Sequence, residues 1–150
     1  MTTVIPVLGI LAGLFLATAA ENADLAERKK LVGVWKGYAV EGTGEKPVGP
    51  VKLTVTITME EISAVQDDKQ DLGAGTYKLD LSANPKRLDG TCARGQVPKG
   101  KYLGIYKLEG DVFKWCTAMP RTQEPPKEFR TGKGVYLMIL KREPQPAGKK

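Results

Sequence analysis

Val51-Lys52-Leu53-Thr54-Val55-Thr56-Ile57-Thr58-Met59 is the most ordered pattern in the chain. Val51, Leu53, Val55, Ile57 and Met59 fall at every second position, and Lys52, Thr54, Thr56 and Thr58 fill the gaps. Side chains alternate between the two faces of a strand, so this segment has one apolar and one wet face. A helix would spread the same five residues around its whole circumference. β-Branched residues dominate, as a half-buried pleated surface favours. The segment is therefore a strand of a sheet with one face on a core and the other in water, which is the antiparallel habit.

Working outward, the same period recurs between turn signals. Trp35 to Glu41 is a strand closed by Gly42-Thr43-Gly44, and Glu61 to Val65 is a weaker one followed by the polar run Asp67-Asp68-Lys69-Gln70-Asp71. Thr76 to Leu81, Lys86 to Ala93, Lys101 to Leu108, Val112 to Ala118 and Val135 to Lys141 complete a set of about eight. Glu109-Gly110-Asp111 is a tight turn between two of them, and the proline-rich stretch from Met119 to Lys127 is a loop because proline cannot donate to a ladder. No amphipathic crossover helix separates the strands, so parallel pairing is excluded. The expected architecture is all-β: a small antiparallel up-and-down β-barrel of about eight strands with a short N-terminal helix. An open sandwich is the alternative. Closure into a barrel is the simplest way to protect the sheet edges.

The helix is expected to open at Asp24, with Asp24 and Glu27 at capping-box spacing, Leu25, Leu31 and Val32 on its apolar side, and Gly33 stopping it. Before it, Val4 to Leu16 is almost purely apolar, no charged side chain precedes Glu21, and Ala17-Thr18-Ala19-Ala20 is an A-x-A-type cleavage pattern. The apolar run is shorter than the roughly 20 residues of a spanning helix. Residues 1–19 are thus expected to be a signal peptide, although Met1-Thr2-Thr3 lacks a basic residue; a retained N-terminal anchor is the alternative. Residues 20–143 then form the domain and 144–150 a disordered basic tail, and the mature chain is expected to be exported, periplasmic or extracellular, with no stable membrane span after cleavage.

The chain has no histidine. That removes the commonest general base, the Ser-His-Asp arrangement and the imidazole ligands of zinc, copper or iron. Neither glycine cluster, Gly42-Thr43-Gly44 or Gly73-Ala74-Gly75, is followed by the helix a phosphate loop requires. Glu60 and Glu61 are adjacent and point to opposite faces of a strand, and Asp67, Asp68 and Asp71 lack the spacing of a calcium loop, leaving a solvated turn. The expectation is a protein that is not an enzyme and uses no cofactor and no metal. Cys92 and Cys116 form no C-x-x-C; as the only two cysteines of an exported chain they could pair, but they fall two strands apart. The net charge of +6 is uneven. Residues 21–80 carry 8 basic and 11 acidic side chains, and residues 81–150 carry 15 and 6. Attraction to an acidic surface and a solvated basic face both fit; the basic residues are scattered singly, so no nucleic acid is expected as a partner.

Aromatic residues are the remaining signal. Phe113 and Trp115 share one strand face, and Tyr102 and Tyr106 share another. These four are the candidate ligand contacts of a barrel that holds a small apolar or amphipathic molecule; core filling is the competing role, since eight strands enclose room for side chains or one small ligand. The partner would be a small hydrophobic molecule. The alternative is a filled barrel acting as a structural or interaction module that binds an envelope protein.

Gly33-Val34-Trp35, after a helix and opening the first strand, resembles the G-x-W motif of lipocalins. That resemblance implies that Gly33 and Trp35 close the base of the barrel and that a basic residue after the last strand, Arg142 with Lys141 second, packs on the indole. LVGVW (31–35), GTYKLD (75–80), LGIYKLEGD (103–111), WC (115–116), PPKEF (125–129) and LKRE (140–143) are similar, in order, to the lipocalin-like domain family abundant in planctomycete bacteria. The similarity covers about Leu25 to Glu143 and departs most between Glu60 and Gly73. It implies a fold and an exported setting, and it brings no catalytic or ligand residues.

Overall fold

The computed structural model describes residues 12–40, 51–67, 69–122 and 124–144, with side chains from residue 19 onward. The first eleven residues of the expected signal peptide and the tail from 145 lie outside the described residues. One helix, α1 (Ala12–Leu31), precedes nine strands: β1 (Gly33–Val40), β2 (Val51–Ile57), β3 (Glu61–Gln66), β4 (Gln70–Asp80), β5 (Arg87–Arg94), β6 (Gly100–Tyr102), β7 (Gly104–Glu109), β8 (Val112–Ala118) and β9 (Val135–Arg142). Every strand pairs antiparallel with its chain neighbour or the next but one, and β9 returns to β1 with Trp35 opposite Arg142. β6 and β7 are one stave broken at Leu103, so the sheet closes as an eight-stave up-and-down barrel and the open sandwich is excluded.

The alternation at 51–57 does what its chemistry requires. Leu53, Val55 and Ile57 are buried, whereas Lys52 is exposed. The strand stops at Ile57 because the Thr58 hydroxyl accepts the amides of Glu60 (3.3 Å) and Glu61 (2.9 Å), which folds the chain back into β3. Gly110, at φ 59°, supplies the left-handed residue of the two-residue β7–β8 turn.

Three details differ from the expectations above. The helix does not begin at Asp24: it spans Ala12–Leu31, so Asp24 and Glu27 are interior and form no capping box. Asp24 instead accepts from Arg28 one turn on, at 2.6 Å. Leu25 is 47% exposed, so the helix rests on the barrel through Leu31 and polar side chains. β4 starts at Gln70, so Gln70, Asp71 and the glycine-rich run belong to a long strand, with register shifts at Ala64/Val65 and Ala74/Gly75. Among the described residues no helix is long and apolar enough to cross a membrane.

The core sits at the end of the barrel where α1 docks. Leu31, Trp35, Ile57, Leu88, Phe113 and Leu140 meet there, fully buried, and the Phe113 ring lies 5.5 Å from that of Trp35 and 6.1 Å from that of Tyr106. Two side chains seal this base. The Trp35 indole donates to the Leu31 carbonyl at 2.8 Å, and Arg142 donates to the Val32 carbonyl at 2.9 Å and to that of Lys30. The carbonyls that a helix C-terminus leaves unpaired are thereby satisfied, and a cation lies at the negative end of the helix dipole. The Arg142 guanidinium also stands 4.1 Å above the Trp35 ring, in the arrangement that favours cation–π attraction. On the opposite flank of the helix, Arg28 donates to the carbonyls of Met59 (2.8 Å) and Tyr77 (3.3 Å).

Candidate functional site

The other half of the barrel is hollow. Above the packed base lies a cavity of about 260 Å³. Its walls are Val51, Leu53 and Val55 from β2, Ala64 from β3, Gly73 to Gly75 from β4, Gly90 to Cys92 from β5, and Tyr136 and Met138 from β9. Val97, Pro98 and Met119 line it from the connecting loops. Among the described residues no Asp, Glu, Lys or Arg lines it. An apolar cavity of about 150 Å³ accepts benzene, so this one has room for a group of roughly ten non-hydrogen atoms.

One side of the hollow is a wall of glycines. β4 and β5 face the interior with Gly73, Gly75 and Gly90 where β2 presents Leu53 and Val55. Gly75 runs so close to β5 that a Cβ there would lie 1.6 Å from the Thr91 carbonyl oxygen, which excludes any larger residue. The floor is Trp115. Its indole lies against Gly104, where a Cβ would stand 2.4 Å from Nε1, and against Gly90, where a Cβ would stand 3.2 Å from the ring. The indole N–H donates to the Leu88 carbonyl at 3.0 Å, which locks the ring across the barrel.

The wall's strongest donors are spent on the protein itself. The Tyr102 hydroxyl donates to the Pro98 carbonyl at 2.7 Å, that of Thr117 to the Leu103 carbonyl at 3.4 Å, and the Cys92 thiol to the Arg94 carbonyl at 3.2 Å. Burial pushes the Tyr102 phenol up to about 12, with Cys92 and Tyr136 adding to the shift, so it stays neutral. The surface left to a guest is mostly apolar, with Ser63, Gln66, Thr91 and Tyr136, whose hydroxyl donates to the Met119 sulfur at 3.5 Å, as the other polar side chains in the lining.

The four aromatic candidates divide two and two. Trp115 and Tyr102 line the cavity. Phe113 and Tyr106 lie below the floor, packed with Trp35, and the cavity does not reach them. Tyr106 serves the helix contact instead. Its hydroxyl donates at 2.9 Å to Glu27, a buried carboxylate that also accepts from Lys30 and Lys86, each at 3.1 Å. Burial opposes the charge on Glu27, but the hydrogen bonds from Lys86, Lys30 and Tyr106 outweigh it and hold the carboxyl below its usual range. The Tyr106 phenol is raised by burial and by the Glu27 charge. Gly33, Trp35 and Arg142 form the base already described.

The two cysteines are free and lie on opposite sides of the wall. Cys92 faces the cavity, whereas Cys116 follows the inward Trp115 and so points outward, where its Sγ lies 3.5 Å from the Arg130 carbonyl under the β8–β9 loop. Burial raises the Cys116 thiol pKa. Among the described residues no group of three His, Cys, Asp or Glu is placed to hold a metal ion. The glycine wall was the feature that sequence reasoning missed; its only signal was the run Gly73-Ala74-Gly75 within an otherwise alternating segment. Comparison with protein-family models, with curated proteins and with solved structures returned no match in any of the three.

Proposed function

We propose that this chain is an exported, lipocalin-like binding protein that holds a small apolar or amphipathic molecule and carries out no chemistry on it. The observation that carries this reading is the half-filled barrel: an apolar cavity of about 260 Å³ above a Trp115 floor. The volume lies just under the roughly 300 Å³ at which drug-sized pockets begin, which points to a compact guest or one whose polar end stays at the mouth. A filled barrel acting only as an envelope module would leave no cavity of this size above Trp115. Trp115 and Tyr102 are the proposed ring contacts. Export is supported by the apolar run and A-x-A pattern of residues 1–19. The helix contacts with the barrel, among the described residues, come from Glu27, Arg28, Lys30 and Leu31, so removal of residues 1–19 leaves them intact.

Cys92 is a built-in reporter. Its labelling by a thiol reagent, followed by mass spectrometry with and without 1-decanol, should be slowed by the alcohol, while the covered Cys116 stays unlabelled in both. Equal Cys92 labelling across the C6 to C12 alcohols, together with unchanged Trp115 fluorescence, would remove the binding role.

A further inference from the structure

The two ends of the barrel compensate their charges differently. At the closed end the cations sit on carboxylates: Arg28 on Asp24, Lys30 and Lys86 on Glu27, Lys107 on Glu109, and Arg142 on Asp111. At the mouth, apart from Arg94 at 3.6 Å from Glu61, they do not. Lys52 follows the lining residue Val51, Lys99 and Lys101 lie between Pro98 and Tyr102, Arg121 comes two residues after Met119, and Lys133 lies just before β9. All five are exposed, and among the described residues none takes part in an ion pair. Asp67 and Asp71, with Lys69 between them, offset them by a net one charge. The connection 41–50 and Asp68, outside the described residues, add a net two negative charges by sequence, and the mouth end remains net positive.

We infer that the guest is an anionic amphiphile, with an apolar portion of about ten non-hydrogen atoms in the cavity and a carboxylate, sulfate or phosphate head at the mouth. The inference rests on the binding role proposed above. Among the described residues the cavity lining holds no charged side chain and its strongest donors are satisfied within the wall, so burying an ionic head there would leave it unpaired at a prohibitive cost. The head must therefore stay in water at the rim. There the unpaired Lys52, Lys99, Lys101, Arg121 and Lys133 select its sign. About two net positive charges at about 8 Å in water favour an anion over a neutral head roughly twofold at physiological salt and roughly fourfold at 0.01 M, where screening is weak.

The test is calorimetric titration of the full chain with decanoate, 1-decanol and decyltrimethylammonium at two ionic strengths. The preference for decanoate over decanol should grow about twofold between 0.15 M and 0.01 M salt, and the cationic amphiphile should show the opposite trend. The triple variant Lys99→Glu, Arg121→Glu, Lys133→Glu should reverse both trends while leaving decanol affinity unchanged. If decanol binds and the decanoate preference does not respond to salt or to charge reversal, the anionic-head inference fails and the cavity role stands. If none of the three binds, the cavity role fails and the inference falls with it.

Discussion

Replacing Ala64 by leucine separates a real hollow from a packed wall by the sign of a stability change. Ala64 faces the cavity from β3, between its register partners Val55 and Gly73, and Gly73 offers no side chain to obstruct it. Leucine adds three carbons, each worth about 0.8 kcal/mol when buried. Ordering the longer side chain costs about 0.5–1 kcal/mol. Because the cavity opens at the mouth, about half the gross gain is realised, leaving a net stabilisation of about 0.5 kcal/mol. Urea unfolding should show a higher midpoint with an unchanged slope, and Tm should rise by roughly 1–2 °C. The same three carbons occupy space that three carbons of a decyl chain would fill, so decanol affinity should fall roughly fiftyfold. A loss of about 1–3 kcal/mol would mean that the site is already full and that leucine overpacks it. A gain in stability with undiminished decanol binding would put the ligand site elsewhere.

Other perturbations test the base, the floor and the buried carboxylate. Arg142→Met removes the contact over Trp35 and the hydrogen bonds to the Lys30 and Val32 carbonyls, and should cost about 2–4 kcal/mol in urea unfolding. Arg142→Lys should recover less than half of that, since an ammonium cannot stack on the indole and reach both carbonyls at once. Gly104→Ala puts a Cβ 2.4 Å from the Trp115 Nε1 and 2.9 Å from the Cys116 carbonyl oxygen, so it should cost about 2–3 kcal/mol and shift Trp115 emission in a Trp35→Phe background. Glu27 has a lowered pKa in the folded protein, so its contribution is complete above the ordinary value of 4.5 and is lost as pH falls below it. Glu27→Gln should cost about 1–2 kcal/mol at neutral pH, and its deficit relative to wild type should shrink as pH drops below 4.5.

The barrel was legible because its signal is local. Strict alternation at 51–57 reports a strand with one wet face whatever it pairs with, and the turn residues mark where each strand must stop. Trp35 and Arg142 were legible for another reason: their positions at the two ends of the folded chain match a known closure pattern, and antiparallel pairing of β1 with β9 puts them opposite each other. The helix start was not legible, because alanines and leucines before Asp24 read equally as a leader and as helix. The first half of β4 was missed for a related reason: glycine leaves the alternation blank, and a strand without side chains reads as a turn.

The residues alone determined antiparallel strands with one wet face and excluded histidine chemistry; closure into a barrel stood against an open sandwich, and the seal at Trp35 came from the resemblance to lipocalins. Only the tertiary structure decided that the interior is filled below Trp115 and empty above it. Phe113 and Trp115 are two positions apart on the same face of one strand, yet one is core and the other is a cavity floor. Periodicity specifies the face of a side chain and is silent about its depth along the barrel axis. Depth is set by strand register and by what stands across the barrel: Trp35 and Leu140 near the base, Gly73 and Gly75 above it.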